Sequence, residues 1–262
     1  MATPSERHEI HCAKRYLEYI ETPFYRAFRD KDNPESDLSN YAVLKRMEDA
    51  EESLAEVEHF YAEAGIEPKF YWSPDSVPLD RGRVFFQRHG YRVETSMMQR
   101  MLLLTHTSPD LMVRKCPVRE FTGGPLTGTE AQLVKESYGG RDFGLRLIDK
   151  QLRVGARAYF AYNRAEIPVC YCVGEGYGTA YELSDVYTAE NFRRQGYAAA
   201  AILPLLGYAR DPENSYTDVF LYASSPEAIQ LCEKFGFRGT LVEQYFAYKG
   251  SIPDAGQTKA GQ

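Results

Sequence analysis

No apolar run in this chain approaches the roughly 20 residues needed to cross a bilayer. The opening segment, with Glu6, Arg7, His8 and Glu9, has no signal-peptide core. Neither a membrane protein nor a secreted one is expected, and the expected location is cytoplasmic. Cysteine is scarce and odd in number, five among 262 residues, without the spacing of a disulfide framework, which fits a reducing compartment. Cys170 and Cys172 alternate along a strand-like stretch and read as small core residues rather than redox or metal ligands. Histidine stops early: His8, His11, His59, His89 and His106 all precede residue 107, so a general base in the remainder must be another residue type. His8 and His11 share a helix face but have no third ligand in sequence, and no metal is expected. Excess positive charge is missing too. A net charge of −6 and a pI near 5.5 argue against a general nucleic-acid binder and favour a neutral or cationic partner. The Gly-Lys-Ser/Thr of a P-loop and the three glycines of a dinucleotide fingerprint are also absent.

What is present is a short run, Arg193-Arg194-Gln195-Gly196-Tyr197-Ala198, between a strand-like stretch (Ala180 to Thr188) and an apolar helical stretch (Ala198 to Ala209). The first turn of a helix has N–H groups without partners and a dipole that favours negative charge, so a pyrophosphate fits there. Gly196, lacking a Cβ, is read as the point of close backbone approach to a ligand, Ala198 keeps the next position small, and Arg193 and Arg194 add positive charge at the rim. Downstream come a strand (Thr217 to Ala223) and a helical run from Ser225-Pro226 to Phe235-Gly236-Phe237.

From Glu182 to Phe237 the sequence resembles the GNAT acetyltransferase superfamily, whose Arg/Gln-x-x-Gly-x-Gly/Ala loop is matched by Arg193, Gly196 and Ala198. The resemblance implies an α+β fold, a mixed, mostly antiparallel sheet flanked by helices. It also implies acetyl-CoA as co-substrate and a small-molecule or peptide amine as acceptor. Val186, Tyr187 and Thr188 would offer strand-edge groups to the pantetheine arm, and Arg193, Arg194, Gln195, Gly196, Tyr197 and Ala198 would hold the pyrophosphate. Glu182, eleven residues before Arg193, matches the family's strand glutamate and is the expected base; Asp185, on the opposite strand face by alternation, competes. Two positions depart from the pattern. Cys232 stands where a tyrosine acid is common, and Ser225 where an asparagine is; Tyr222, Tyr245 and solvent are other sources of the leaving-group proton.

Periodicity organises the rest. A helix is read from Glu6 to Tyr19, then a polar connection through Asp30, Asp32, Pro34 and Ser36. Val43, Leu44, Met47, Leu54, Val57, Phe60 and Tyr61 read as one long amphipathic helix stopped at Gly65. Strand Lys69 to Trp72, helix Leu79 to Arg88 and strand Glu94 to Leu104 follow. Phe70-Tyr71-Trp72-Ser73-Pro74 with Phe85 to Gly90-Tyr91 parallels Phe220-Leu221-Tyr222, Ser225-Pro226 and Leu231 to Gly236-Phe237, as an internal repeat whose first copy lacks a phosphate loop. A smaller α/β, degenerate GNAT-like half is therefore expected at 1–104, a linker at 105–112, an acetyltransferase domain at 113–250 and a flexible tail at 251–262. Pro204 is expected to kink or end the loop's helix. The function expected is acetyl-CoA-dependent N-acetylation of a primary amine by direct attack on the thioester. A non-catalytic acyl-CoA-binding or regulatory module and an aminoacyl-tRNA-dependent aminoacyl transferase are the alternatives, and homodimerisation is left open.

Overall fold

A computed structural model describes residues 3–105, 107–108 and 110–249. His106 and the tail at 251–262 lie outside them. In chain order the elements are α1 (Pro4–His11), β1 (Glu18–Glu21), β2 (Tyr25–Arg29), β3 (Tyr41–Leu44), α2 (Ala50–Ala62), β4 (Lys69–Trp72), α3 (Leu79–Arg88), β5 (Arg92–Leu103), β6 (Val118–Phe121), α4 (Gly128–Ser137), α5 (Phe143–Arg153), β7 (Arg157–Tyr162), β8 (Pro168–Tyr177), β9 (Ala180–Thr188), α6 (Tyr197–Arg210), β10 (Asp218–Ala223), α7 (Pro226–Phe235) and β11 (Phe237–Tyr248). No helix among the described residues is long and apolar enough to cross a membrane.

These elements form two compact units, one of residues 3–15 and 99–240, the other of residues 16–98 and 241–249. In the first, the end of β5 pairs antiparallel with β10 (Phe220 opposite Leu102), β10 runs parallel to β9, and β9, β8, β7 and β6 follow as an antiparallel meander. Helix α6 packs its Ala199, Ala201, Ile202, Leu205 and Leu206 on one sheet face with Tyr181, Leu183 and Leu221. Helices α4 and α5 cover the other face over Phe160, Tyr171 and Val173. Pro204 sits inside α6, yet the helix runs on to Arg210. Leu205, Leu206 and Ala209 beyond it are all buried, and that packing outweighs the one backbone bond a proline removes.

The second unit is built from β1 to β4 and the last turns of β11, with α2 and α3 over a core that includes Tyr61, Phe70, Trp72 and Phe86. Strand β4 is parallel to β3 on one side and antiparallel to the chain's final strand on the other, Trp72 opposite Tyr245. Here the sequence reading is corrected. The helix read to Tyr19 ends at His11, three strands occupy 18–44, and the long amphipathic helix begins only at Ala50. Strands β1 and β2 escaped detection because their charged residues stand three apart instead of alternating with apolar ones, and pair across the ladder: Arg29 Nη2 lies 2.7 Å from Glu18 Oε2 and Arg26 Nη2 lies 2.8 Å from Glu21 Oε1. Strand β3 alternates half-buried and buried residues, Ala42 and Leu44 inward, but four residues are too few to separate that period from a helical one.

The segments aligned as a repeat share their architecture, β4–α3–β5 and β10–α7–β11, each helix followed by a glycine with left-handed φ, Gly90 and Gly236. Within β4–α3, Gly82 lies flat on the Trp72 indole, and an added Cβ would sit 2.6 to 2.9 Å from its ring atoms. Gly82→Ala is expected to cost about 1–3 kcal/mol through overpacking, read as a lower urea midpoint with an unchanged slope.

Candidate functional site

Strands β9 and β10 bond one another only from Ala180 to Glu182, opposite Asp218 to Phe220. Beyond that point they part, and a cleft of about 560 Å³ opens between Leu183–Thr188 and Leu221–Ala223. Ala228, Leu231 and Cys232 of α7 form part of its wall, and Arg193, Arg194, Gly196, Tyr197 and Ala198 form its mouth. The loop's shape follows from its dihedrals. Arg194 has φ 61° and Gly196 φ 80°, both left-handed, which turns the chain sharply into α6. Arg193 Nε donates to the Thr188 carbonyl at 3.1 Å, and Gln195 Nε2 to that of Asn191 at 2.9 Å, pinning the turn from both sides. No side chain caps α6, so its first-turn N–H groups remain open donors at the cleft mouth.

Gly196 has a different use from the one read in the sequence. A Cβ there would lie 2.7 Å from Arg114 N and 2.9 Å from the Met112 carbonyl oxygen, and Arg114 N–H donates to the Gly196 carbonyl at 3.0 Å. The glycine makes room for the chain's own backbone at 112–114, which buttresses the turn from behind.

Of the residues expected to contact the cofactor, Val186, Thr188, Arg193, Arg194, Gly196, Tyr197 and Ala198 line the cleft. Three do not. Tyr187 turns to the other sheet face, its hydroxyl donating to Glu136 at 2.9 Å. Gln195 borders a second cavity, of about 370 Å³, beside Arg114, Lys115 and Arg164. Ser225 caps α7, its hydroxyl oxygen accepting from Ala228 N–H at 3.2 Å.

The two carboxylates are brought to one face by a β-bulge. Glu182 is opposite Glu175 and Asp185 opposite Val173, leaving Ser184 as the extra residue on β9. Glu175 and Val173 are two apart on β8 and point the same way, so their partners do too. Alternation, which separates Glu182 from Asp185, is overturned by that single insertion. Asp185 accepts from Tyr138 Oη at 2.8 Å and Tyr171 Oη at 2.9 Å, and burial pushes its carboxyl up. Glu182 keeps 21 % of its side chain exposed; burial, with the charges of Glu175 and Glu9, pushes it up to about 8.

Helix α1 packs over this face and supplies what sequence reasoning missed. His8 Nδ1 lies 3.5 Å from Glu182 Oε2, and Tyr222 Oη donates to Glu9. The side chains of His8, Cys12 and Glu175 each bring one polar atom within 4.8 Å of the others. Arg15 donates to Cys12 Sγ at 3.1 Å and to Glu175 Oε2 at 2.9 Å, and Gln151 Nε2 lies 3.3 Å from Glu175 Oε1, so the group is tied by hydrogen bonds. The only sequence signal was a helical pattern placing His8 and Cys12 one turn apart.

Cys232 is buried in the cleft wall, and burial, then the charge of Glu233, pushes its thiol up to about 12. Tyr222 also lines the cleft, whereas Tyr245 belongs to the other unit, packed on Trp72 with its hydroxyl donated to Glu243.

Residues 157–237, from β7 to the start of β11, match the Acetyltransferase (GNAT) family. A search of curated proteins gave no match. Among solved structures the same fold occurs in a GCN5-related N-acetyltransferase from Kribbella flavida, with a TM-score of 0.63 and 14 % identity, over 94 % of this chain and 95 % of that one. A GCN5-related N-acetyltransferase from Sphaerobacter thermophilus gives a TM-score of 0.56 and 16 % identity, over 86 % of this chain and 76 % of that one. A tandem GNAT protein from the clavulanic acid biosynthesis pathway gives 0.54 and 16 %, over 87 % and 79 %. Residues 157–237, which supply most of the cleft and the turn at its mouth, thus carry the pattern of a GNAT acetyltransferase domain.

Proposed function

We propose that the chain transfers an acetyl group from acetyl-CoA to a primary amine, small-molecule or peptide, that enters from the side of Glu182. The observation that carries this reading is an uncapped helix N-terminus opening at the mouth of a cleft between two parting parallel strands. The donor set suits the co-substrate. Open N–H groups of α6 and the guanidinium groups of Arg193 and Arg194 match a pyrophosphate. The free edge of β9 at Val186 and Thr188 suits the amides of a pantetheine arm, over an apolar wall from Leu221 and Leu231. Acetyl-CoA supplies the activated acyl group. The protein's part is to align it, polarise the thioester carbonyl with a β9 backbone N–H and receive the amine's proton.

Glu182 is assigned as the base. It is partly exposed and stands where the strands part, whereas Asp185 has two tyrosine hydroxyls on its carboxylate and is assigned to holding the bulge. Cys232 is not assigned as the acid. A proton passing from a thiol at about 12 to an ordinary thiolate near 8.5 runs uphill by roughly three units, about 10³ in equilibrium. Solvent protonates the leaving thiolate. A cysteine acting as acid would contribute about 10²- to 10⁴-fold. Cys232→Ala is expected to retain kcat within far less than about 10²-fold in a thiol-release assay.

Because a base must be ionised to accept a proton, kcat/KM is expected to rise with pH through the Glu182 ionisation near 8 and then level off. Glu182→Gln removes that limb and lowers kcat by about 10²- to 10⁴-fold, with CoA affinity kept. An unaltered limb assigns the base elsewhere, and absence of CoA binding to the wild-type protein by calorimetry defeats the whole reading.

A further inference from the structure

Helix α1 brings a second group to Glu182. The His8 side chain is 1 % exposed and meets Phe220 edge-on, ring centres 5.3 Å apart. Its Nε2 lies 3.0 Å from the Glu175 carbonyl oxygen. A carbonyl only accepts, so Nε2 carries the ring hydrogen. The Cys12 thiol, 3.2 Å from the same nitrogen, gives its own hydrogen to the Glu175 carboxylate. Nδ1 is therefore a bare lone pair. It has no hydrogen-bond partner among the described residues, and the group it faces is Glu182, Oε2 3.5 Å away. Two acceptors facing each other, the imidazole one buried, repel unless a proton lies between them.

We propose that His8 is the positioning residue of the Glu182 base: its Nδ1 accepts the O–H of Glu182 after the carboxylate has taken the acceptor amine's proton. An N–H bond of the amine breaks, an O–H bond forms on Glu182, and the imidazole keeps the hydrogen it already has. This rests on the acyltransferase reading above. Burial, with the positive charge of Arg15 nearby, pulls the imidazole down to about 4, so the proton stays on the carboxyl. The other groups facing the pair are Glu9 and Cys12 from the N-terminal segment, Arg15 just beyond it, Glu175 of β8 and Tyr222 of β10. Glu175 and Glu9 raise the Glu182 carboxyl by their charge, and substituting His8 removes neither. A bond accepted from the protonated form raises an acid's pKa, so losing His8 lowers it.

His8→Phe keeps the aromatic edge on Phe220 and removes both nitrogens. Carboxyl-¹³C glutamate NMR, with the Glu182 resonance identified through Glu182→Gln, reads the effect without turnover. The Glu182 midpoint is expected to fall by about one pH unit, a tenfold change; an unchanged or higher midpoint overturns the proposal. Should His8→Phe not fold, ¹⁵N-histidine spectra of the wild-type protein decide. A non-protonated His8 Nδ1 whose shift follows the Glu182 titration supports the pairing, and a protonated Nδ1 at neutral pH sinks it. A protein that shows the pairing but releases no thiol from acetyl-CoA defeats the acyltransferase reading alone.

Discussion

Two parallel strands stop bonding one another at Glu182 and Phe220, and the site depends on that separation. On its other edge β9 remains paired with β8 as far as Thr188. The edge toward β10 is left with backbone donors and acceptors that no strand satisfies. Backbone groups withdrawn from water need partners, so an open edge in a folded unit is a template for something extended and amide-bearing. Helix α6 begins at this opening and adds a field of positive sign. A gap between strands and a helix end are each unremarkable alone; their convergence on one mouth makes a linear, anionic-ended molecule the natural occupant.

The bulge at Ser184 is the second determinant. One inserted residue rotates the remainder of β9 by half a strand period, which turns Val186 and Thr188 into the cleft and moves Asp185 to the face of Glu182. The acidic face and the face that carries Val186 and Thr188 are then separated by the thickness of the sheet. The parting of β9 from β10 opens between those two faces.

The sequence made some of this visible and hid the rest for physical reasons. The turn at Arg193 to Ala198 was legible because charge, glycine and a following apolar helix coincide within a few residues. Strand β4 and helix α3 were read to the residue, because Trp72, Gly82 and Phe86 belong to one local packing unit. Strands β1 and β2 were lost because ladder ion pairs between Arg and Glu look like surface charge until the two strands are set side by side. Strand β3 was absorbed into a neighbouring helical period. The pairing of His8 with Glu182 spans most of the domain and carries no local pattern. The bulge was invisible for a related reason: alternation assumes an unbroken ladder, and nothing in Leu183-Ser184-Asp185 announces an insertion.

The interleaving of the two units has a further consequence, for how the protein is made. Strand β4 has β3 on one side and, on the other, residues 245–248 of β11. During synthesis residues 16–98 leave the ribosome long before that partner exists, exposing β4, with Phe70 and Trp72, as a bare edge. Its completion waits for residues 245–248, which follow the whole of the other unit, residues 3–15 and 99–240, in the sequence. The unit of residues 16–98 therefore cannot close until the other has been made. The two are interleaved in time as well as in sequence, and the interval in which the β4 edge stands open is when the nascent chain is most exposed to wrong pairing.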